Sequence, residues 1–131
     1  MSRRRPRDRG AISVVLLLLV VVALSGAGLV VDGGRALVAR RHASNTAEAA
    51  ARAAVATATP VSGIDQADAV AVALDYATRA GVPALDVHVT VGVDFVTVNI
   101  VERRPTVFLI LGGQQTMTVQ ASGTARVTYT D

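Results

Sequence analysis

The apolar positions of this chain follow three regimes in order: an unbroken run, a helical period and an alternation. Ala11–Val31 holds no charged residue and no proline, and fourteen of its positions are Leu, Ile or Val. As a helix the run is about 31 Å long at ~1.5 Å per residue, against a hydrocarbon core of about 30 Å. In lipid a helix satisfies its own backbone groups, so the valines are no obstacle. A transmembrane helix is expected over residues 10–31.

The helical period continues past this run. Gly33 and Gly34 predict a loosening, since each Gly costs roughly 1 kcal/mol against Ala in a helix. Beyond them Arg41, Asn45, Glu48 and Arg52 form one polar stripe, with Glu48 and Arg52 in the favoured i,i+4 order. Ala43, Ala47, Ala50, Ala51, Ala54 and Ala58 fall on the opposite face. Such a face removes little apolar area but allows very close approach of a helix or sheet. It reads either as a spacer or as a packing face for neighbouring subunits. Thr57, Thr59 and Pro60 end the element, because the residue before Pro is pushed out of α geometry. An Ala-rich stalk helix is thus expected over residues 32–59.

Residues 60–131 read as a small extracytoplasmic α+β domain. Asp65 caps a second helix that carries Ala67, Val70, Ala71, Leu74 and Ala77 at helical spacing. Gly81 and Pro83 stop it. The period then becomes two. Leu85, Val87, Val89 and Val91 alternate with polar residues, and so do Val96, Val98 and Ile100. A last strand places Met117, Val119, Ala121, Gly123, Ala125, Val127 and Tyr129 on one face. The expected fold is α+β: an N-terminal transmembrane helix continuing into a stalk, then a small helix and a three-stranded antiparallel sheet. The apolar run in segment 105–113 has no period. It is either a buried strand or a core-packed turn of helix, or an amphipathic element touching the outer leaflet with Arg103 and Arg104 at the headgroups.

Composition narrows the chemistry. The 131 residues are 51% hydrophobic with no Cys, which excludes disulfides, thiolate zinc and a Cys nucleophile. All thirteen basic residues are Arg, which excludes lysine-dependent phosphate loops and points to a GC-rich bacterium. The net charge is +3. Arg3, Arg4, Arg5, Arg7 and Arg9 make residues 1–9 a basic tail beside the apolar run. With no aromatic for base stacking, the tail is a topology signal rather than a nucleic-acid arm. Arg35, Arg40 and Arg41 on the far side oppose it only in part, so the N-terminus is expected in the cytoplasm. The apolar segment has three fates. It stays as an anchor, it is a secretory signal cut after Ala27, or a prepilin-type peptidase cuts between Gly10 and Ala11. Val15 stands where a processed pilin carries Glu.

The stretch Gly10-Ala11-Ile12-Ser13-Val14, the apolar span, Val31-Asp32-Gly33-Gly34-Arg35 and Asn45-Thr46-Ala47-Glu48-Ala49-Ala50-Ala51-Arg52-Ala53 resembles the N-terminal module of TadE/TadG-like proteins of Flp (tight adherence) pilus assembly. Glu48 stands where that pattern usually has Asp. The resemblance implies a pilin-like arrangement and a minor pseudopilin or assembly factor that acts by subunit packing, with the bilayer and other pilus-assembly membrane proteins or pseudopilins as partners. Asp32, Arg35, Asn45 and Glu48 are then the candidate subunit contacts. For Asp32 and Arg35 an intrahelical ion pair is the simpler reading. The alternative function is a secreted small binding domain released by signal cleavage and unrelated to pili.

No enzyme site is expected, and neither a metal, a cofactor, a nucleic acid nor a small-molecule substrate. His42 has no second ligand at i+3 or i+4. His88 reads as a strand surface residue sharing its face with Asp86, without a nucleophile nearby. Asp65 and Asp68 are explained by helix capping, and Gly33-Gly34 and Gly112-Gly113 lack the context of a phosphate loop.

Overall fold

The computed structural model describes residues 7–128. The tail residues Arg3, Arg4 and Arg5 and the last-strand residue Tyr129 lie outside the described residues. Helix α1 (Arg7–Val55) is one uninterrupted element of 49 residues, about 74 Å long. The loosening expected at Gly33 and Gly34 does not occur. The helix is held on both sides of the pair, at Asp32 and at Ala39, by the rest of the chain. Tertiary packing outweighs the local glycine cost.

The stalk ends at Val55 rather than at residue 59. The Thr57 hydroxyl donates to the Ala54 carbonyl at 2.7 Å. Thr59 and Gly63 then exchange both backbone hydrogen bonds, at 3.0 and 2.9 Å, and close a tight loop around Pro60. Gly63 takes φ +68° there, a conformation that a side chain would oppose.

Helix α2 (Gln66–Arg79) begins as expected, with the Asp68 N–H donating to Asp65 Oδ1 at 3.0 Å. Its end is a Schellman turn. The Val82 N–H reaches the Ala77 carbonyl and the Gly81 N–H reaches that of Thr78, both at 3.0 Å, with Gly81 left-handed.

Three strands follow: β1 (Val87–Val91), β2 (Phe95–Pro105) and β3 (Thr116–Arg126). They form an antiparallel sheet in the order β1-β2-β3. Val87 pairs with Ile100, Val98 with Gly123, and Pro105 with Thr116. Leu85 was expected on the buried face of the first strand. It lies instead in a 3-10 turn (Ala84–Asp86) and is 91% exposed. The bond from the Asp86 N–H to the Pro83 carbonyl, 2.9 Å, curls the chain before the strand can start.

Both helices cover one face of the sheet, and the architecture is α+β. Val96, Val98 and Ile100 of β2 are fully buried against Ala43, Ala47, Ala50, Ala51 and Ala54 of α1 and Ala69, Ala73 and Ala77 of α2. Burying each of these large side chains stabilises by about 1.5–3 kcal/mol. The alanine face is therefore not left open for neighbouring subunits. Its own sheet and α2 cover it. The approach is as close as alanine permits: a Cβ built on Gly123 would lie 2.3 Å from the Glu48 backbone nitrogen.

The other half of α1 is bare. Ile12 to Leu24 and Leu29 to Val31 carry exposed Leu, Ile and Val side chains. The most apolar 18-residue window has a mean hydropathy of 3.0 and is 6% buried. This single apolar helix near the N-terminus is consistent with a membrane span or a signal.

Candidate functional site

The buried face of α1 continues toward the bare half. Gly28, Asp32, Ala39, Ala43, Ala47, Ala50 and Ala54 are all buried on it, at helical spacing. The β2–β3 hairpin lies along this seam. Its tip, residues 106–115, includes a second 3-10 turn (Leu109–Gly112) that meets α1 where the bare run ends. Thr106 ties the base of the tip, with its N–H on the Gln115 carbonyl at 3.0 Å and its hydroxyl on the Gln114 carbonyl. Gly113, at φ +87°, lets the turn close.

Asp32 holds the tip. Its Oδ1 accepts the Val107 N–H at 3.0 Å, and its Oδ2 accepts those of Phe108 at 2.9 Å and Leu109 at 2.8 Å. These amides open the 3-10 turn and have no partner within it, as at any helix start. A carboxylate from 75 residues away satisfies them. The residue is 1% exposed. The Val107 and Leu109 amides, with that of Phe108, hold the Asp32 carboxyl below the usual carboxylate range against the opposing effect of burial. Arg35 acts on it only through space. The expected Asp32–Arg35 ion pair does not form, because the carboxylate faces the amides and Arg35 stays exposed.

Phe108 packs beside this clamp. A Cβ on Gly28 would lie 2.6 Å from both Cβ and Cγ of Phe108. The rest of the tip is open. Val107, Phe108, Ile110 and Leu111 are exposed, Leu111 by 88%. Segment 105–113 is therefore not the buried strand that was one of its two readings.

A second polar cluster lies further along the hairpin. Glu102, on the helix-facing side of β2, is 7% exposed. Its Oε1 meets His42 Nδ1 at 2.5 Å and its Oε2 accepts Arg104 at 2.9 Å. His42 thus finds its partner on a strand 60 residues away. Arg103 turns to the opposite side and pairs with Asp86 in the first 3-10 turn. Asp86 therefore lies in a turn before the first strand rather than on it, and Arg103 is engaged within the chain by this pair. Arg104 keeps an exposed side chain although it pairs with Glu102.

A groove of about 630 Å³ lies between α1 and this part of β2. Val30, Val31 and Val38 form its apolar wall with Pro105, and Arg35 and Arg104 line it too. Another groove, of about 940 Å³, is lined by Arg40, Arg41 and Ser44 of α1 and by His88, Asn99 and Ser122 of the sheet. His88 is exposed opposite Asn99. Among the described residues no three His, Asp or Glu side chains come together to hold a metal ion.

The remaining sequence-derived positions are exposed. Arg41, Asn45, Glu48 and Arg52 form the stripe away from the seam, with Glu48 and Arg52 at 3.6 Å. Gly10 and Ala11 lie on the bare end of α1, already helical. The seam positions Gly28 and Ala39 were missed by the sequence reading, although extending the alanine period backward reaches both. The Asp32 and Glu102 partnerships left no local signal.

No curated protein and no solved structure matches the chain. A family model does, and its range covers the bare helix, the Asp32 clamp position and the alanine seam: residues 10–58 match the Flp pilus-assembly TadE/G-like family.

Proposed function

We propose that this chain is a membrane-anchored component of a Flp-type pilus-assembly apparatus, a minor pseudopilin or assembly factor that works by packing rather than catalysis. The observation that carries this reading is the division of α1. The family match spans both a bare apolar half, fit for lipid, and a half already sealed by its own sheet. A helix whose exposed residues are Leu, Ile and Val for some twenty positions needs an apolar environment. Bilayer supplies it, and the arginine-rich tail sets the N-terminus in the cytoplasm.

The candidate subunit contacts separate on this reading. Asp32 is spent within its own chain. Arg35, Asn45 and Glu48 remain exposed on α1. Asn45 and Glu48 are the positions left for partners among other pilus-assembly membrane proteins, while Arg35 stands at the membrane boundary. Cleavage after Gly10 would leave the seam and the clamp whole. Cleavage after Ala27 would remove the bare half and favour the secreted binding domain.

Intact-mass measurement on the membrane fraction tests the proposal, together with pilus yield in a strain lacking the chain. A membrane-embedded chain, full-length or starting at Ala11, with loss of pili on deletion, is the expected result. A soluble chain starting near Gly28, with normal pili, would overturn it in favour of the secreted domain.

A further inference from the structure

The Asp32 clamp fixes the hairpin tip at a definite height on α1. Phe108 touches Gly28, one helical turn inside the end of the apolar run, and Ile110 and Leu111 of the same tip are exposed. Four residues of helix are about 6 Å. That is the depth, about 5–10 Å, at which interfacial apolar elements seat themselves in a bilayer. The exposed tip thus meets α1, through Phe108, within the exposed apolar run. Above it the groove between Val30, Val31, Val38 and Pro105 carries Arg35 and Arg104. Arg35 makes no hydrogen bond or ion pair among the described residues. Val30 and Val31 lie on the bilayer side of Arg35 along α1, so they and the guanidinium groups are complementary to an anionic phospholipid, acyl chain along the valines and phosphate at the arginines.

We propose that the β2–β3 hairpin tip is a lipid seat: Phe108, Ile110 and Leu111 enter the extracytoplasmic leaflet, and Arg35 with Arg104 holds an anionic phospholipid headgroup in the adjoining groove. The proposal rests on the membrane-anchored reading of α1. It adds a second point of attachment to the bilayer, so that α1 and the sheet packed on it are held together at one height and one tilt relative to the membrane instead of moving on the membrane helix alone.

The chain has no Trp, so a single introduced Trp is a clean reporter of depth. The full chain is reconstituted, as Leu111→Trp, as Leu19→Trp and as Thr124→Trp, in phosphatidylcholine vesicles containing lipid brominated near the top of the acyl chain for positions 111 and 124 and near its end for position 19. Quenching of Leu111→Trp by roughly twofold, with Leu19→Trp also quenched and Thr124→Trp not, is the expected pattern. Quenching of Leu19→Trp without Leu111→Trp would overturn the seat and leave the anchor standing. Absence of quenching at Leu19→Trp would overturn the anchor itself. Shielding of Leu111→Trp from aqueous quencher that depends on protein density, without lipid quenching, would assign the tip to a second copy and also overturn the seat. For the headgroup, brominated phosphatidylglycerol at low mole fraction is expected to quench Leu111→Trp more than brominated phosphatidylcholine at the same fraction. Arg35→Gln, which breaks no hydrogen bond or ion pair among the described residues, is expected to weaken that preference by up to about fivefold. Equal quenching by the two lipids would overturn the headgroup assignment.

Discussion

Phe108 stands where a side chain on Gly28 would have to go: a Cβ at position 28 would come within 2.6 Å of the Phe108 Cβ. The contact joins the end of the bare half of α1 to the tip of the hairpin, and it holds only because position 28 is glycine. Gly28→Ala gains roughly 1 kcal/mol of helix propensity but forces a backbone shift at the tip. A net loss of about 1–2 kcal/mol is expected by thermal unfolding in detergent, with α1 still helical by circular dichroism. Combining it with Phe108→Gly, which removes the clashing carbon, is expected to make the alanine less costly.

Asp32→Asn tests the clamp. The amide presents donors to a site built from three N–H groups, so at least one of them loses its acceptor. Amide exchange at Val107, Phe108 and Leu109 is expected to quicken by roughly tenfold or more, while exchange in β1 stays unchanged. Membrane insertion is expected to be unaffected.

The same contact has a pH signature. The folded-state pKa of Asp32 lies below its ordinary value of 3.8. Its contribution is therefore fully present above that value and is lost as the pH falls through the lower, folded-state pKa. Protection of Val107, Phe108 and Leu109 is expected to be flat from neutral pH down to about pH 5 and to fall only in stronger acid. In Asp32→Asn the acid-dependent loss should vanish.

Gly123 is the tightest point of the sheet–helix contact, against the Ala47–Glu48 backbone. Gly123→Val drives a branched side chain into an unyielding helix backbone. A loss of about 3 kcal/mol or more is expected, enough to unfold a core built of Val and Ala. Ser122→Ala, its neighbour on the open face, should stay within about 0.5 kcal/mol.

Glu102→Ala removes the acceptor shared by His42 and Arg104. Both partners are partly exposed and regain water, so the expected cost is about 1–3 kcal/mol rather than that of a stranded buried charge. Thermal unfolding at neutral pH measures it, with Glu102→Gln expected to fall between the parent and the alanine variant.

The elements of the fold were legible because each has a strong local period. The unbroken run gave α1, the Asp65 cap and the Gly81–Pro83 stop gave α2, and alternation gave the three strands. Leu85 misled because alternation extends one residue pair past the point where the Pro83 turn allows a strand. Gly33-Gly34 misled because helix propensity is a local quantity, and the turns around it are held from outside.

What the sequence by itself determined is the series of one-dimensional patterns: where lipid-compatible residues stop, which helix face is small, and which strand residues face inward. Those follow from backbone geometry, which repeats identically wherever the chain is helical or extended. What only the tertiary structure decided is who meets whom. The alanine face met its own sheet instead of a neighbour, Asp32 met three amides instead of Arg35, and Glu102 met His42. Such pairings depend on how two distant segments align in space, and hydrogen-bonding groups with several eligible partners leave no mark of that choice in the residues beside them.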